Sequence, residues 1–475
     1  MRAHVGGVTG NQPYDLAVIG AGSAGFAAAI SAAEQGAHVA LIGHGTIGGT
    51  CVNVGCIPSK NLIRATEALH QASTASRFAG IRGDSSLKDW RSLVHQKDEL
   101  VGSLRKAKYV DLLPQYNTVA YIEGRARLTA KGVAVDGSFL ASDKVIVATG
   151  ASPSLPPIPG MDSVPYLTST TALELERLPK SLLVIGGGYV GCELGQMFAR
   201  AGTAVTIVDL VPILSTAEPE ISKALAGYLR EDGIALREGV APLSIRKADG
   251  GIALEVAAGG KPETLAAEQV LVTTGRRPNT EGLGLAEAGV ELLPIGGVKV
   301  DDRMRTTRAG VYAAGDVTGR DQFVYMAAYG ARIAAMNALN GDTLRYDNSA
   351  MPSVVFTDPQ VASVGLTEAE ARATGHNVRT SVLDLDQVPR AQAARDTRGL
   401  IKLVADGKTN RLLGAHILAP EGGDSIQTAA LAIRQGLTID DLVDTVFPYL
   451  TTVEGLKLAA LGFEKDVAKL SCCAV

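Results

Sequence analysis

The chemistry open to reading in this chain sits in two pairs of cysteines. Cys51 and Cys56, with four residues between them, lie inside the segment Gly48, Gly49, Thr50, Cys51, Val52, Asn53, Val54, Gly55, Cys56, Ile57, Pro58, Ser59, Lys60. Two thiols about one helical turn apart can close into a disulfide and reopen to present a thiolate. A thiolate near a helix start is stabilised by the positive end of the helix dipole. Cys472 and Cys473 are adjacent, close to the carboxyl end. Neighbouring cysteines join only through a small, strained ring, so they stay available as two soft thiolates, and soft thiolates select soft metal ions. Five cysteines in 475 residues are too few for a disulfide scaffold. The fifth, Cys192, lies in an apolar helical stretch and reads as a packed small hydrophobe. His4, His38, His44, His70, His95, His376 and His416 show no metal-ligand spacing.

The elements that must position these thiols are written twice. Tyr14 to Ile19 is a short apolar run, followed by Gly20, Gly22 and Gly25, an alanine-rich helical stretch, and a second run from His38 to Ile42. That is strand, tight turn, helix, strand, with glycines that let the backbone approach a pyrophosphate at the positive end of the helix. The grammar recurs with a strand at Ser181 to Ile185, a turn at Gly186, Gly188 and Gly191, a helix over Cys192 to Ala201, and a strand from Ala204 ending at Asp209. An acidic residue there commonly accepts hydrogen bonds from the adenosine ribose, and Asp209 suits that place. The matching place in the first unit holds Gly43 and then His44, so its ribose is expected to be held more weakly or by a neighbour or a water. The runs Lys144 to Val147 and Val270 to Thr273 lead into Thr149, Gly150 and into Gly275, as matching exits from two dinucleotide units. Pro153, Pro156, Pro157 and Pro159 rule out regular helix between Ser152 and Gly160 and suggest a linker. From Met351 onward, strand-like runs at Ser353 to Phe356, Leu400 to Val404 and Leu412 to Leu418 accompany a helix at Ile426 to Gln435. The expected fold class is α/β, with two Rossmann-like dinucleotide-binding domains and a C-terminal α+β domain.

Composition narrows the partners. The chain is 46% apolar and 20% charged, with formal net charge −4 and pI near 6.0. Nothing in that balance would attract nucleic acid or an anionic membrane surface. Apolar runs such as Ala27 to Ala33 are too short to cross a bilayer, and residues 1–13 lack a secretory pattern, so a cytoplasmic location is expected.

The segment from Gly48 to Lys60 resembles the redox-active disulfide motif of the pyridine nucleotide-disulfide reductase flavoproteins. Tyr312, Ala313, Ala314, Gly315, Asp316 and Val317 resemble that family's second flavin motif. The resemblance runs from Tyr14 to Val475. It implies FAD as resident cofactor, held at Gly20, Gly22, Gly25, Gly49, Thr50, Lys60, Thr149, Gly150 and Asp316. NADPH or NADH is implied at Gly186, Gly188, Gly191, Asp209 and Gly275, with Asp209 favouring NADH because a carboxylate repels a 2′-phosphate. It further implies that Cys51 and Cys56 accept electrons from the flavin, that Lys60 and Glu193 lie near its reactive edge, and that the chain forms a homodimer with active sites shared between subunits. The corresponding domains are FAD-binding at 1–151 and 276–350, NAD(P)H-binding at 152–275, and dimerisation at 351–475.

Disulfide-reducing members of the family carry a histidine, a proline and then a glutamate near the carboxyl end. Here Phe447, Pro448, Tyr449, Leu450, Thr451, Thr452, Val453 and Glu454 contain no histidine, and alignment on Glu454 puts Tyr449 in its place. A phenol with pKa near ~10 is a poor acid at neutral pH, which disfavours a dihydrolipoamide dehydrogenase or another disulfide reductase of this fold. The tail pair Cys472 and Cys473 looks like that of the family's mercuric reductases, whose substrate is Hg(II) delivered as a thiol complex. In them the tail passes the ion to the inner pair of the other subunit, and Tyr449 and Tyr109 match tyrosines beside it. Many of those enzymes carry an extra amino-terminal metal-binding domain; about a dozen residues precede the first strand here, so the chain is expected to be the catalytic core alone.

Overall fold

The computed structural model describes residues 13–470. These fall into two compact units, one built from residues up to Asn61 with Ser92–Ser154 and Gly275–Asp347, the other from Leu62–Arg91, Leu155–Thr274 and residues from Asn348 onward.

The chain opens with β1 (Tyr14–Ile19), α1 (Ser23–Ala33) and β2 (Val39–Gly43), followed by α2 (Gly49–Val54) and α3 (Cys56–Ser73). Helix α4 (Trp90–Arg105) runs into a π-helical turn at Lys106–Val110. Strands β3 (Val119–Glu123), β4 (Ala126–Thr129), β5 (Gly132–Val135), β6 (Ser138–Val147) and β7 (Ala151–Pro153) follow. The next stretch holds α5 (Ser169–Ala172), β8 (Ser181–Ile185), α6 (Tyr189–Arg200), β9 (Ala204–Asp209), α7 (Pro219–Glu231) and β10 (Ala235–Glu238). It continues with β11 (Ala241–Ala248), β12 (Gly251–Ala258), β13 (Lys261–Ala267) and β14 (Gln269–Val272). The chain then returns to the first unit through β15 (Arg276–Pro278), β16 (Val311–Ala313) and α8 (Val324–Asn340). Its last part comprises β17 (Ser353–Val355), β18 (Gln360–Gly365), α9 (Glu368–Ala373), β19 (Val378–Asp384), α10 (Pro389–Ala394), β20 (Leu400–Asp406), β21 (Leu412–Ala419), α11 (Gly422–Gln435), α12 (Ile439–Asp444) and α13 (Glu454–Leu461).

In the first unit β3, β2, β1, β6 and β16 lie side by side and parallel, so their carboxyl ends share one edge. Leu16, Ala17 and Val18 of β1 are fully buried, because a parallel sheet is covered on both faces and its strands read as apolar runs rather than alternations. Helices α1 and α8 pack together through small side chains, Ala28, Ala29 and Ala32 on one and Ala331, Ala334 and Ala335 on the other, all buried. Beyond its parallel half, β6 continues antiparallel to β5, which pairs with β4.

The second unit repeats the plan with a parallel sheet in the order β10, β9, β8, β14 and a separate antiparallel meander of β11, β12 and β13. The glycine turn extends the expected helix backwards, so α6 begins at Tyr189 rather than Cys192, with Gly188 as its N-cap. The proline-rich stretch expected to be a plain linker contributes β7, paired with β15 through Ser152 and Arg277. Pro153 is tolerated because a ladder of only two strands has edges where a missing N–H is not needed. The last part of the second unit is an antiparallel sheet in the order β17, β18, β21, β20, β19, against which α11 and α13 bury Ile426, Ala429, Leu456 and Ala459. Among the described residues no helix is long and apolar enough to cross a membrane.

One buried charge locks this unit. Lys402 of β20 is 2% exposed, and its ammonium reaches Glu218, Glu220 and Glu368, each at 2.9 Å. Burial alone would lower its pKa, but the three carboxylates hold it above the ordinary lysine range. Lys402→Met would strand the buried Glu218 carboxylate, and unfolding in urea is expected to show a loss of roughly 3–5 kcal/mol. Glu220→Gln, at a half-exposed position, should cost less than ~1 kcal/mol in the same measurement.

Candidate dithiol and dinucleotide sites

Each parallel sheet ends in a glycine turn of the same geometry. Gly20 has φ +119° and Gly186 φ +108°, and a Cβ would lie 2.2 Å from the Ala148 carbonyl oxygen at the first and 2.7 Å from that of Thr273 at the second. Only glycine fits where the turn passes so close to a neighbouring strand. Helices α1 and α6 both start at a glycine, Gly22 and Gly188, with no side-chain cap and no acidic residue in the first turn. Their first-turn N–H groups are thereby left for an external acceptor. Gly150 and Gly275 are also at positive φ, with nothing within 4 Å of an added Cβ. Uncapped amides and open glycines at the carboxyl edge of a parallel sheet fit the pyrophosphate of a dinucleotide.

The cysteine segment is fastened directly to the first turn. The Gly48 N–H donates to the Ala21 carbonyl at 2.9 Å, and a Cβ on Gly49 would lie 2.6 Å from the Gly22 Cα. Asn53 braces the loop, its side-chain amide donating to the Ile47 and Gly49 carbonyls at 2.9 and 2.8 Å and its oxygen accepting from Arg105 at 3.1 Å. The pair is divided between two helices. Gly55, at φ −125° and ψ −114°, breaks the chain between α2 and α3, so Cys51 ends up in a six-residue helix and Cys56 opens one of eighteen. The two remain in contact as half-buried thiols. A hydrogen bond to Cys56, then burial and the Cys56 charge, push the Cys51 thiol far above its usual range, against the opposing pull of the Lys60 ammonium. Cys56 stands at the start of the longer helix, whose positive end stabilises a thiolate placed there.

Tyr109 joins this group from the π-helical turn. Its ring meets Phe26 edge-on at 4.8 Å and lies against the Gly48 turn, where a Cβ would come within 3.2 Å of it. Burial raises its pKa, a hydrogen bond with Ser23 opposes that, and the charges of Cys51 and Cys56 add to the rise. A π-turn carries one residue more per turn than an α-helix, and such turns recur at functional sites because they redirect a side chain.

Asp316, after the positive-φ Gly315, is held near the Arg276 guanidinium at 3.6 Å, and burial raises its carboxyl. The Thr149 hydroxyl donates to the Asn279 carbonyl at 2.7 Å, whereas Thr50 is exposed. In the second unit, Asp209 accepts from the Gly187 amide at 2.5 Å and from the Val211 amide at 3.2 Å. Glu193 is buried and accepts from the Phe356 amide at 2.9 Å. Cys192 is fully buried, its thiol directed at the Gly187 carbonyl, which bears out its reading as a packed residue. Tyr449 is 57% exposed, while the buried Glu454 accepts from the Leu450 amide at 3.1 Å. Cys472 and Cys473 lie outside the described residues. Among the described residues no cluster of three or more His, Cys, Asp or Glu is arranged to hold a metal.

Residues 14–335 match the family model described as pyridine nucleotide-disulphide oxidoreductase, and residues 351–460 match the dimerisation domain of the same family. The chain belongs to the pyridine nucleotide-disulphide oxidoreductases. It is 47% identical to a mercuric reductase of Lysinibacillus sphaericus over 97% of its own length and 84% of that protein's, and 45% identical to one of Streptomyces lividans over the whole of both. Among solved structures it is similar to the copper(II) complex of the HOCl-induced flavoprotein disulfide reductase RclA from Escherichia coli. The TM-score there is 0.84 at 30% identity, over 95% of this chain and 99% of that one. Membership in the pyridine nucleotide-disulphide oxidoreductases implies FAD and NAD(P)H as redox partners.

Sequence reasoning missed Asn53, Ser23 and Arg276 as supports of the site. Asn53 was in plain view inside the cysteine segment, but its role depends on Arg105, far along the chain. The coupled thiols of this disulphide oxidoreductase yield a testable outcome. Cys56→Ser removes the neighbouring thiolate and supplies a hydroxyl that can donate to sulfur, so Cys51 should titrate at lower pH than in the wild-type reduced protein. Thiolate ultraviolet absorbance against pH measures this directly; an unmoved curve would show that the pair is not coupled.

Proposed function

We propose that this protein passes two electrons from a reduced nicotinamide to Hg(II) and releases elemental mercury. The observation that carries the reading is the combination of an intact dithiol with a carboxyl-terminal region lacking the acid that a disulfide substrate needs. Opening an organic disulfide expels a thiolate that must be protonated, whereas reducing Hg(II) to Hg(0) takes two electrons and no proton. Here the Glu454 carboxylate is engaged by the Leu450 amide instead of a histidine, and the residue beside it, Tyr449, is an exposed phenol. The near full-length identity to proteins named mercuric reductase supports the same substrate.

In this reading the turn of Gly20, Gly22 and Gly25 and the uncapped start of α1 receive the pyrophosphate of FAD, with Gly49, Thr50, Lys60, Thr149, Gly150 and Asp316 around the rest of it. When bound, FAD supplies the two-electron relay between nicotinamide and dithiol. Gly186, Gly188, Gly191, Asp209 and Gly275 hold the nicotinamide coenzyme. Lys60 and Glu193 act near the flavin edge. Cys51 and Cys56 hold the ion as a bis-thiolate, their negative charge offset by the Lys60 ammonium and the positive end of α3. Two electrons reach the metal, both sulfur–mercury bonds break with their electron pairs left on sulfur, and Hg(0) departs because it no longer binds thiolates appreciably. Tyr109 and Tyr449 stand beside the ion, in a homodimer whose active sites are shared. Cys472 and Cys473 deliver Hg(II) from its thiol complexes by exchange, so the ion is never freed from sulfur. Segments 1–151 and 276–350 serve FAD, 152–275 the coenzyme, and 351–475 dimerisation.

The purified protein supplied with NADH, Hg(II) and excess thiol is expected to oxidise the nicotinamide and evolve volatile mercury, while oxidised lipoamide and glutathione are left untouched. Cys51→Ala should abolish mercury release. Absence of volatile mercury from the wild type would overturn the reading. Replacing both Cys472 and Cys473 by alanine should impair turnover of thiol-complexed Hg(II) without slowing flavin reduction, and unchanged turnover would remove the relay. With Asp209 followed by Leu210, Val211 and Pro212 and no arginine there, kcat/KM for NADH should at least equal that for NADPH; a strong preference for NADPH would contradict this.

A further inference from the structure

The first dinucleotide unit lacks an acid at the end of β2, and the structure explains why one cannot stand there. A Cβ on Gly43 would lie 2.6 Å from the Ala21 Cβ, 3.2 Å from the Tyr121 hydroxyl oxygen and 3.3 Å from the Tyr121 ring. The place where a side chain would leave β2 is taken by a phenol from the next strand. Strands β2 and β3 are parallel, with Leu41 opposite Tyr121 and Gly43 opposite Glu123, so Glu123 ends β3 at the same sheet edge where Gly43 ends β2. The Gly124 N–H donates to the Gly43 carbonyl at 2.9 Å and clamps the two ends together. Tyr121 and Glu123 are two residues apart and share a face of the strand.

Both groups are uncommitted. Among the described residues neither the Tyr121 hydroxyl nor the exposed Glu123 carboxylate has a hydrogen-bond or ion-pair partner. They are near one another, since burial first and the Glu123 charge second raise the Tyr121 phenol above its usual range. A carboxylate and a hydroxyl at the carboxyl edge of the parallel sheet, beside the turn of Gly20 and Gly22, stand where an adenosine ribose is ordinarily met by an acid from the second strand.

Resting on the reading of this unit as the FAD site, we propose that Glu123 and Tyr121 of β3 together hold the adenosine ribose of FAD, replacing the acid that β2 lacks. The Glu123 carboxylate accepts from the ribose 2′-hydroxyl, and the Tyr121 hydroxyl fills the second hydrogen-bonding place at the position vacated by a side chain on Gly43. Both are binding residues remote from the reacting atoms, so their loss should loosen the cofactor without altering the dithiol.

The test follows flavin retention rather than turnover. Dilution of the holoprotein releases FAD, read as a rise in flavin fluorescence, and gives a dissociation constant. Glu123→Gln should weaken FAD by about tenfold and Tyr121→Phe by a few-fold, as expected for a hydrogen bond to a charged group and one between neutral groups. An exchange measurement on the wild type needs no substitution: bound FAD is competed against its analogue carrying 2′-deoxyadenosine. The wild type should prefer FAD by about tenfold, and Glu123→Gln should bring that preference close to one. A wild type with no preference, or a Glu123→Gln variant that keeps it, overturns the proposal while leaving FAD binding intact. A wild type that retains no flavin overturns the underlying reading as well.

Discussion

The contact between Gly22 and Gly49 is the constraint on which the first unit's chemistry depends. One glycine belongs to the first glycine turn, the other to the helix that carries Cys51, and their backbones meet where no side chain could intervene. The Gly48 to Ala21 hydrogen bond fixes the register of that contact. A redox relay needs its parts within van der Waals reach and held still, since small displacements are costly in rate. Here the distance is set by main chain on main chain, the least compressible material available. Asn53 with Arg105 and Tyr109 with Phe26 then hold the loop from its outer side.

The two units handle buried charge differently. At the thiols, contact with Cys56 and burial raise the Cys51 pKa while the Lys60 ammonium opposes them. In the second unit Lys402 gathers three carboxylates from α7, α9 and the residue capping α7. Arg200 and Arg398 likewise pair with Asp358, Asp232 and Asp396 across a mostly buried surface. Such networks specify which elements meet more than they add to stability, since a wrongly packed neighbour would leave a charge unpaired.

Much of this was legible in the residues because the strongest signals are steric. Glycines at Gly20 and Gly186 report positive φ, the apolar runs of β1 and β8 report burial on both faces, and both strands begin and end where their patterns do. What escaped reading depends on partners distant in sequence. The break at Gly55 is a place where a larger residue would not fit, since a Cβ there would lie 2.9 Å from the Thr50 carbonyl oxygen, which spacing alone does not reveal. The π-turn at Lys106–Val110 has no compositional mark, since its residues are ordinary helix formers. The missing acid at Gly43 could be seen, whereas its neighbours on β3 became visible only through strand order, which places residues some eighty positions apart side by side.

Asp209 illustrates how one carboxylate can bind two loyalties together. Its oxygens already receive the amides of Gly187 and Val211, so the same side chain that the proposal makes discriminate between coenzymes also shapes the glycine turn beside it. An engineer who swaps it for a neutral or basic residue to recruit a phosphorylated coenzyme removes an internal brace at the same stroke. Cofactor switching at this position thus calls for a compensating acceptor for the Gly187 amide, introduced alongside the new cation.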